Sequence, residues 1–179
     1  QMIPRIQLPD AILSGESEGY LTDPTSMTGQ FLSFKYPTPG HSKIQILYKY
    51  GGAYLGTMNN TNRWVDMYRS ENLPFVVSQS IWFEGETKFA DVILPACTNF
   101  ERTDIGEWSS AGGYGHQFYN QVNHRVVTLQ NKCIEPLGES KSDYQIYQEL
   151  ANRLNLGLYF TEGCSELDWV KRIFDASDV

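Results

Sequence analysis

Residues Gly85–Thr103, which read GETKFADVILPACTNFERT, carry the most information about the fold. Ile93 and Leu94 lie near their centre, in a short apolar run of the kind that predicts a buried strand. Pro95 ends this strand, because proline has no backbone N–H to donate to a neighbouring strand. The polar stretch Thr98–Arg102 then leads the chain away. The sequence therefore predicts a strand whose Ile93 and Leu94 are fully buried, followed by a loop.

Two further strands and a helix precede this stretch. Residues 44–48 (IQILY) and 73–78 (LPFVVS) are apolar and β-branched, which predicts strands. Residues 60–70 predict a helix, because Trp64 and Tyr68 recur at helical spacing behind candidate capping residues. Strands that alternate with helices form parallel sheets with crossover connections. The predicted fold class is therefore α/β, a Rossmann-like parallel sheet with flanking helices.

Two helix starts are visible near the end of the chain. Ser142–Gln145 has the pattern of a capping box, in which the serine and glutamine side chains bond to each other's backbone N–H groups. The helix that follows carries Ile146, Leu150 and Leu154 at four-residue spacing, and we expect Leu150 to face the sheet as a core residue. Ser165–Asp168 predicts a second capped helix.

The chain divides by composition into an arm and a domain. Residues 1–43 hold repeated prolines and glycines, which do not sustain a long helix or a central strand, so we expect an irregular N-terminal arm there. Residues 44–179 form the predicted α/β domain. Because the chain opens on Gln1 within an irregular stretch and stops at Val179 soon after a helix, we expect a piece of a longer polypeptide.

Composition excludes several classes of function. The net charge of −7 argues against a nucleic-acid partner, which requires clustered basic residues. The three cysteines form no CxxC pair, so no metal ligands are predicted, and we expect buried free thiols in a reducing compartment, the cytoplasm. No long apolar run predicts a membrane span.

Candidate binding residues follow the predicted strands, because ligands of open α/β sheets bind beyond the carboxyl ends of the strands. Gly51 and Gly52 follow the first strand and permit a close approach of backbone to a phosphate or sugar, although a plain tight turn is the more common explanation for such a pair. Gln79 and Ser80 follow the second strand, either as ligand contacts or as an ordinary polar strand end. Asp143 suits the helix dipole, and its carboxylate also matches the N1–H and 2-amino donors of guanine.

The order of these segments resembles the molybdopterin oxidoreductases of the dimethyl sulfoxide reductase type. The resemblance rests on the glycine-rich loop, on ADVILPA with Glu101, and on GESKSDYQIYQELANRL at 138–154. In that family, this domain binds the guanine end of one pterin dinucleotide. The resemblance implies six cofactor-binding residues in this chain: Gly51, Gly52, Gln79, Ser80, Glu84 and Asp143.

Four longer segments resemble the transhydroxylase branch of that family, which moves a hydroxyl group between phenolic rings without net redox change. They are residues 50–63, 75–86, 93–105 and 123–140. By motif position, the resemblance implies that Tyr114 is catalytic, since a phenol can orient a phenolic substrate or carry a proton. From the residues alone, an aromatic that covers the core is the more common explanation for Tyr114.

The resemblance also implies the cofactor and the partners. The cofactor is bis-molybdopterin guanine dinucleotide with molybdenum or tungsten, completed by domains outside this chain. The implied partners are those domains, a phenolic substrate and an iron–sulfur small subunit, and the isolated chain is expected to be inactive. Two alternatives stay open: another molybdopterin oxidoreductase, such as a reductive catechol dehydroxylase, and a non-catalytic nucleotide-binding or assembly module.

Overall fold

A computed structural model of the chain describes residues 3–21, 32–106 and 128–176. The chain divides into two compact units, Gln1–Leu94 and Pro95–Val179. The first unit contains the helices α1 (Leu8–Ser14), α2 (Tyr54–Thr57) and α3 (Thr61–Tyr68), and the strands β1 (Ser17–Leu21), β2 (Leu32–Tyr36), β3 (Ile46–Tyr50) and β4 (Phe75–Ser80). All but the last residue of the strand β5 (Val92–Pro95) belongs to it as well. The predicted boundary between residues 43 and 44 stays a prediction.

A parallel sheet of order β3-β4-β5 with flanking helices forms the centre of the first unit, which confirms the predicted α/β fold class. Ile46 lies opposite Phe75, and Tyr50 lies opposite Gln79. Both strands run two residues beyond the predicted ends. They continue into polar sequence because those side chains find partners: Lys49 pairs with Glu84, and Gln79 accepts from the hydroxyl of Tyr48.

The predicted arm contains more regular structure than its proline content suggests. Pro9 lies in the first turn of α1, where its missing N–H is not needed. β1 and β2 pair in antiparallel fashion, with Gly19 opposite Phe34. Ile12 of α1 is fully buried, so the arm supplies part of the core.

The core of the first unit is built from helices and sheet together. Its buried residues are Ile12, Trp64, Met67, Tyr68, Leu73 and Val76. Trp64 and Tyr68, which recur at helical spacing, both lie on the buried face of α3, whereas Val65 is half-buried. The ring of Tyr54 lies 5.4 Å from that of Trp64, and Phe89 stacks on Tyr68 at the same distance. Asn60, however, has a φ of 56° and makes no side-chain cap.

The prediction that Ile93 and Leu94 are fully buried is wrong. The side chain of Ile93 is 47% exposed, and Leu94 is only half-buried. β5 lies at the edge of the three-stranded order, where a neighbouring strand is present on one side within the described residues. An apolar run predicts full burial only where both faces of the strand are covered.

The second unit contains the strands β6 (Asp104–Gly106) and β7 (Thr128–Gln130), which pair in antiparallel fashion. Its helices are α4 (Asp143–Arg153), α5 (Gly157–Thr161) and α6 (Glu166–Asp175). Both predicted helix starts are confirmed, because the caps before α4 and α6 each form a complete capping box.

The prediction that Leu150 of α4 is a core residue facing the sheet is wrong. Ile146 is buried, but Leu150 is 40% exposed and Leu154 is exposed as well. The helix buries a stripe through Ile146 and Ala151, which rotates the two leucines toward an open apolar groove of about 650 Å³ beside α5. The tertiary packing of the helix, and not its spacing pattern, selected the buried stripe.

Candidate functional site

Two loops leave the carboxyl ends of β3 and β4 side by side. Gly51 N–H donates to the carbonyl of Gln79 at 2.9 Å, which ties the glycine turn to the end of the central strand. Gly51 and Gly52 have φ values of 56° and 68°, a conformation that favours glycine. Apart from Gly51 and its two chain neighbours, no atom of the described residues lies within 4 Å of where a Cβ of Gly51 would stand. The turn therefore leaves room for a ligand to approach the backbone.

The two polar residues at the end of β4 have different environments. Gln79 is fully buried, and its side chain accepts a hydrogen bond from the hydroxyl of Tyr48. Ser80 is only half-buried, and its Oγ accepts from the N–H of Trp82 at 3.3 Å. These contacts favour a structural role for the Gln79 side chain and leave Ser80 better placed to meet a ligand. The assignment of both residues to a pocket stays a prediction.

Glu84 belongs to a buried charge cluster that sequence reasoning missed. Lys49, on β3, is buried and pairs with the carboxylate of Glu84. The same ammonium lies 3.4 Å from Oε1 of the buried Glu86. That oxygen also accepts from the N–H of Tyr54 at 2.7 Å, just after the glycine turn. The ammonium of Lys49 thus connects the loops that follow β3 and β4. The sequence signal for this cluster was a lysine within an apolar strand, because lysine is rarely buried without a partner.

Two buried polar atoms in this unit have no hydrogen-bond partner within the described residues: Oε2 of Glu86 and the hydroxyl of Tyr68. Burial, followed by the nearby Glu86 and Tyr54, raises the pKa of Tyr68 above its usual value of 10.0. The phenol therefore stays neutral at physiological pH. A neutral phenol can donate a hydrogen bond, and it adds no negative charge beside Glu86.

Asp143 lies in the second unit, as the first residue of α4. Its Oδ2 accepts a hydrogen bond from Nη1 of Arg102 at 3.1 Å. The same guanidinium donates to Asp104 at 2.9 Å and to the carbonyl of Cys97 at 3.1 Å. Asp143 therefore helps to hold the loop around Arg102, and its role as a guanine reader stays a prediction. Sequence reasoning overlooked Arg102, although it lies within the motif-bearing stretch.

Glu101, the acidic residue of that stretch, connects two loops. Its carboxylate accepts from the N–H of Thr98 at 2.7 Å, from the N–H of Leu137 at 2.6 Å and from the hydroxyl of Ser140 at 3.3 Å. The backbone donors of Thr98 and Leu137 lower the pKa of Glu101 from 4.5 to about 2. The carboxylate is therefore a structural group that stays ionised.

Other predictions have mixed outcomes. Tyr114 lies outside the described residues. All three cysteines are free, but only Cys97 is buried, whereas Cys133 is exposed and Cys164 is half-buried.

In ranges 3–21, 32–106 and 128–176, no group of three or more His, Cys, Asp or Glu residues is arranged to hold a metal ion. The helices in those ranges are too short or too polar to cross a bilayer.

Comparison with known proteins confirms the resemblance inferred from the motifs. The family model described as molybdopterin oxidoreductase matches residues 25–153. The pyrogallol hydroxytransferase large subunit of Pelobacter acidigallici is 51% identical to the chain over 183 residues. A dimethyl sulfoxide/trimethylamine N-oxide reductase of Cereibacter sphaeroides is 31% identical over 83% of the chain.

The chain spans only a small part of these relatives. It covers 21% of the hydroxytransferase subunit and 16% of the reductase. Among solved structures, the acetylene hydratase of Pelobacter acetylenicus matches 79% of the chain with a TM-score of 0.56 and 16% identity, and 18% of that enzyme is covered. At this identity the match supports the fold and nothing further.

Proposed function

The chain belongs to the molybdopterin oxidoreductase family, and we propose that its parallel sheet binds the guanine end of one pterin guanine dinucleotide. The observation that carries this proposal is the glycine turn Gly51–Gly52, hydrogen-bonded to the end of β4 at the carboxyl edge of the sheet. Open α/β sheets bind their ligands at that edge. The family itself implies a molybdopterin cofactor; the guanine form is our proposal.

The residues at this edge fit a phosphate or sugar. Gly51 and Gly52 adopt the left-handed conformation and carry no side chain, so the backbone is open to a ligand. Ser80, half-buried beside them, supplies a hydroxyl that both donates and accepts. Glu84 is held by Lys49 and supplies a carboxylate at the same edge. Asp143 lies in the second unit, and its predicted contact with guanine stays a separate prediction.

The whole enzyme is proposed to be a transhydroxylase that acts on polyhydroxylated aromatics. Support comes from the 51% identity to the hydroxytransferase subunit, which extends over the full chain. When bound, bis-molybdopterin guanine dinucleotide with molybdenum or tungsten supplies the hydroxyl-transfer chemistry. We propose that further domains of the enzyme complete that cofactor site. The same proposal includes an iron–sulfur small subunit as partner and a location in the cytoplasm. The 31% identity to a reductase supports a second candidate, a redox enzyme of the same family.

The proposed cofactor site is tested in the full-length enzyme that contains this chain. The Gly51→Ala variant places a methyl group where the ligand is expected, so bound guanine nucleotide should fall about tenfold. The readout is the GMP released from the purified enzyme by acid hydrolysis. Gly40→Ala is the matched control, because Gly40 has a φ of 84° and equally open surroundings but lies outside the proposed site.

The two variants separate the outcomes. Equal losses of GMP in Gly51→Ala and Gly40→Ala would show that backbone strain alone is responsible and would remove Gly51 from the site. A wild-type enzyme that releases no GMP would contradict the proposed guanine dinucleotide itself.

Tyr114 is proposed to orient the phenolic substrate or to carry a proton. Tyr114→Phe keeps the ring and removes only the hydroxyl, so stability should change little. Turnover should fall by roughly 10²–10⁴-fold if the hydroxyl transfers a proton. The check is steady-state turnover of the full-length enzyme at equal metal and pterin content. Wild-type turnover would return Tyr114 to a packing role.

A further inference from the structure

An exposed aromatic pair stands at the same edge of the sheet as the glycine turn. Trp82 and Phe83 come just after β4, and their side chains are 69% and 67% exposed. Ile81 before them is exposed as well. Single exposed apolar residues are ordinary on protein surfaces, but three in succession at the ligand-binding edge of a sheet indicate a contact surface.

Hydrogen bonds hold the backbone of this turn at both ends. The N–H of Trp82 donates to Oγ of Ser80 at 3.3 Å, and the N–H of Glu84 donates to the carbonyl of Trp82 at 3.1 Å. The Glu84 side chain is in turn paired with the buried Lys49. The two rings are therefore presented from a backbone that is already ordered, which reduces the entropy lost when a ligand binds.

We propose that Trp82 and Phe83 form a stacking surface for the flat base of the bound nucleotide, with the indole of Trp82 as the larger face. This inference rests on the proposed function and names the residues that hold its base. Aromatic side chains stack on nucleobases because both offer extended π faces, and truncation of a stacking ring typically weakens binding several-fold to a hundredfold.

Glu84 adds a reason to expect guanine on this surface. Its Oε2 faces Lys49, while no hydrogen bond from another described residue reaches its Oε1. A carboxylate oxygen accepts hydrogen bonds and donates none, so Glu84 matches the N1–H and 2-amino edge of guanine, in place of Asp143, whose carboxylate already accepts from Arg102. Adenine presents an acceptor at N1 and is not matched in the same way.

The test uses the full-length enzyme purified with its cofactor, and the readout is the half-time for loss of guanine nucleotide, followed as acid-released GMP. Trp82→Leu keeps an apolar side chain but removes the flat ring, so the nucleotide should leave about tenfold faster. Trp82→Phe retains a ring and should stay within about threefold of wild type. Phe100→Leu is the matched control, because Phe100 is 66% exposed but lies outside the edge.

Two results would overturn the stacking surface. One is a half-time in Trp82→Leu equal to that of wild type and of Phe100→Leu. The other is equally fast loss in Trp82→Leu and Trp82→Phe, since a role that needs no flat ring is not stacking. In either case a wild-type enzyme that releases GMP leaves the proposed function standing. A wild-type enzyme that releases no GMP would contradict both the stacking surface and the proposed function.

Discussion

The two units of the chain are stabilised in different ways. In the first unit, large apolar side chains such as Trp64, Met67 and Tyr68 are buried against the sheet. In the second unit, the buried apolar residues that the structure describes include no aromatic ring and no methionine, while Leu150 and Leu154 remain exposed. Its loops are instead held by hydrogen bonds to Glu101 and Arg102. One chain thus contains a unit stabilised mainly by apolar packing and a unit whose loops are held by buried hydrogen bonds.

The largest difference should appear when tryptophans of the two units are truncated. Trp64→Ala empties a fully buried site and should cost about 3–5 kcal/mol of unfolding free energy. Trp169→Ala removes the same side chain from α6, where it is only partly buried and donates to the carbonyl of Thr161, and should cost about 1–2 kcal/mol. Denaturant titration of the 179-residue chain measures both. Equal losses would contradict the contrast between the units.

A second comparison concerns lysines that pair with carboxylates. Lys49→Met leaves Glu84 and the buried Glu86 without their cation and should cost about 3–5 kcal/mol. Lys141→Met breaks the solvent-exposed pair with Glu149 in the second unit and should cost about 0–1 kcal/mol. Thermal unfolding at low and high salt measures both variants. A Lys49 variant as stable as wild type would show that this cluster does not hold the loops.

The third test is a pH dependence specific to the second unit. The pKa of Glu101 is lowered from 4.5 to about 2 in the folded chain. Its contribution is therefore fully present above about pH 4.5 and is lost as the pH falls from there toward 2. Glu101→Gln should flatten the loss of stability over that window, as followed by amide exchange around Leu137. Identical pH profiles for both proteins would contradict the role of the ionised carboxylate.

The features predicted correctly from the sequence are those encoded by neighbouring residues. The capping boxes at Ser142 and Ser165 involve side chains three positions apart, so the pattern alone identifies them. The strand at β5 was found from its apolar run, and it ends at Pro95, the residue that marks its end in the sequence. The proposed edge residues Gly51 and Ser80 were selected because parallel strands end together, and β3 and β4 do pair in parallel.

The features missed from the sequence depend on residues far apart along the chain. Lys49 interrupts an apolar strand, and only its contacts with Glu84 and Glu86 explain how a lysine is buried there. Ile93 is apolar yet exposed, because exposure depends on what covers the strand and not on its composition. Ile12 belongs to the core although its segment was predicted to be irregular, because α1 packs against the apolar face of α3.

The sequence by itself determined the family of this protein, the parallel strands and both helix starts, because each is specified by local pattern or by an uncommon motif. The tertiary structure decided which apolar residues are buried and which carboxylates are committed to structure. Glu101 illustrates the division: the motif marks its position, but its partner loop around Leu137 is 36 residues away. Burial and hydrogen bonding across such distances depend on the arrangement of the whole unit, which no local pattern encodes.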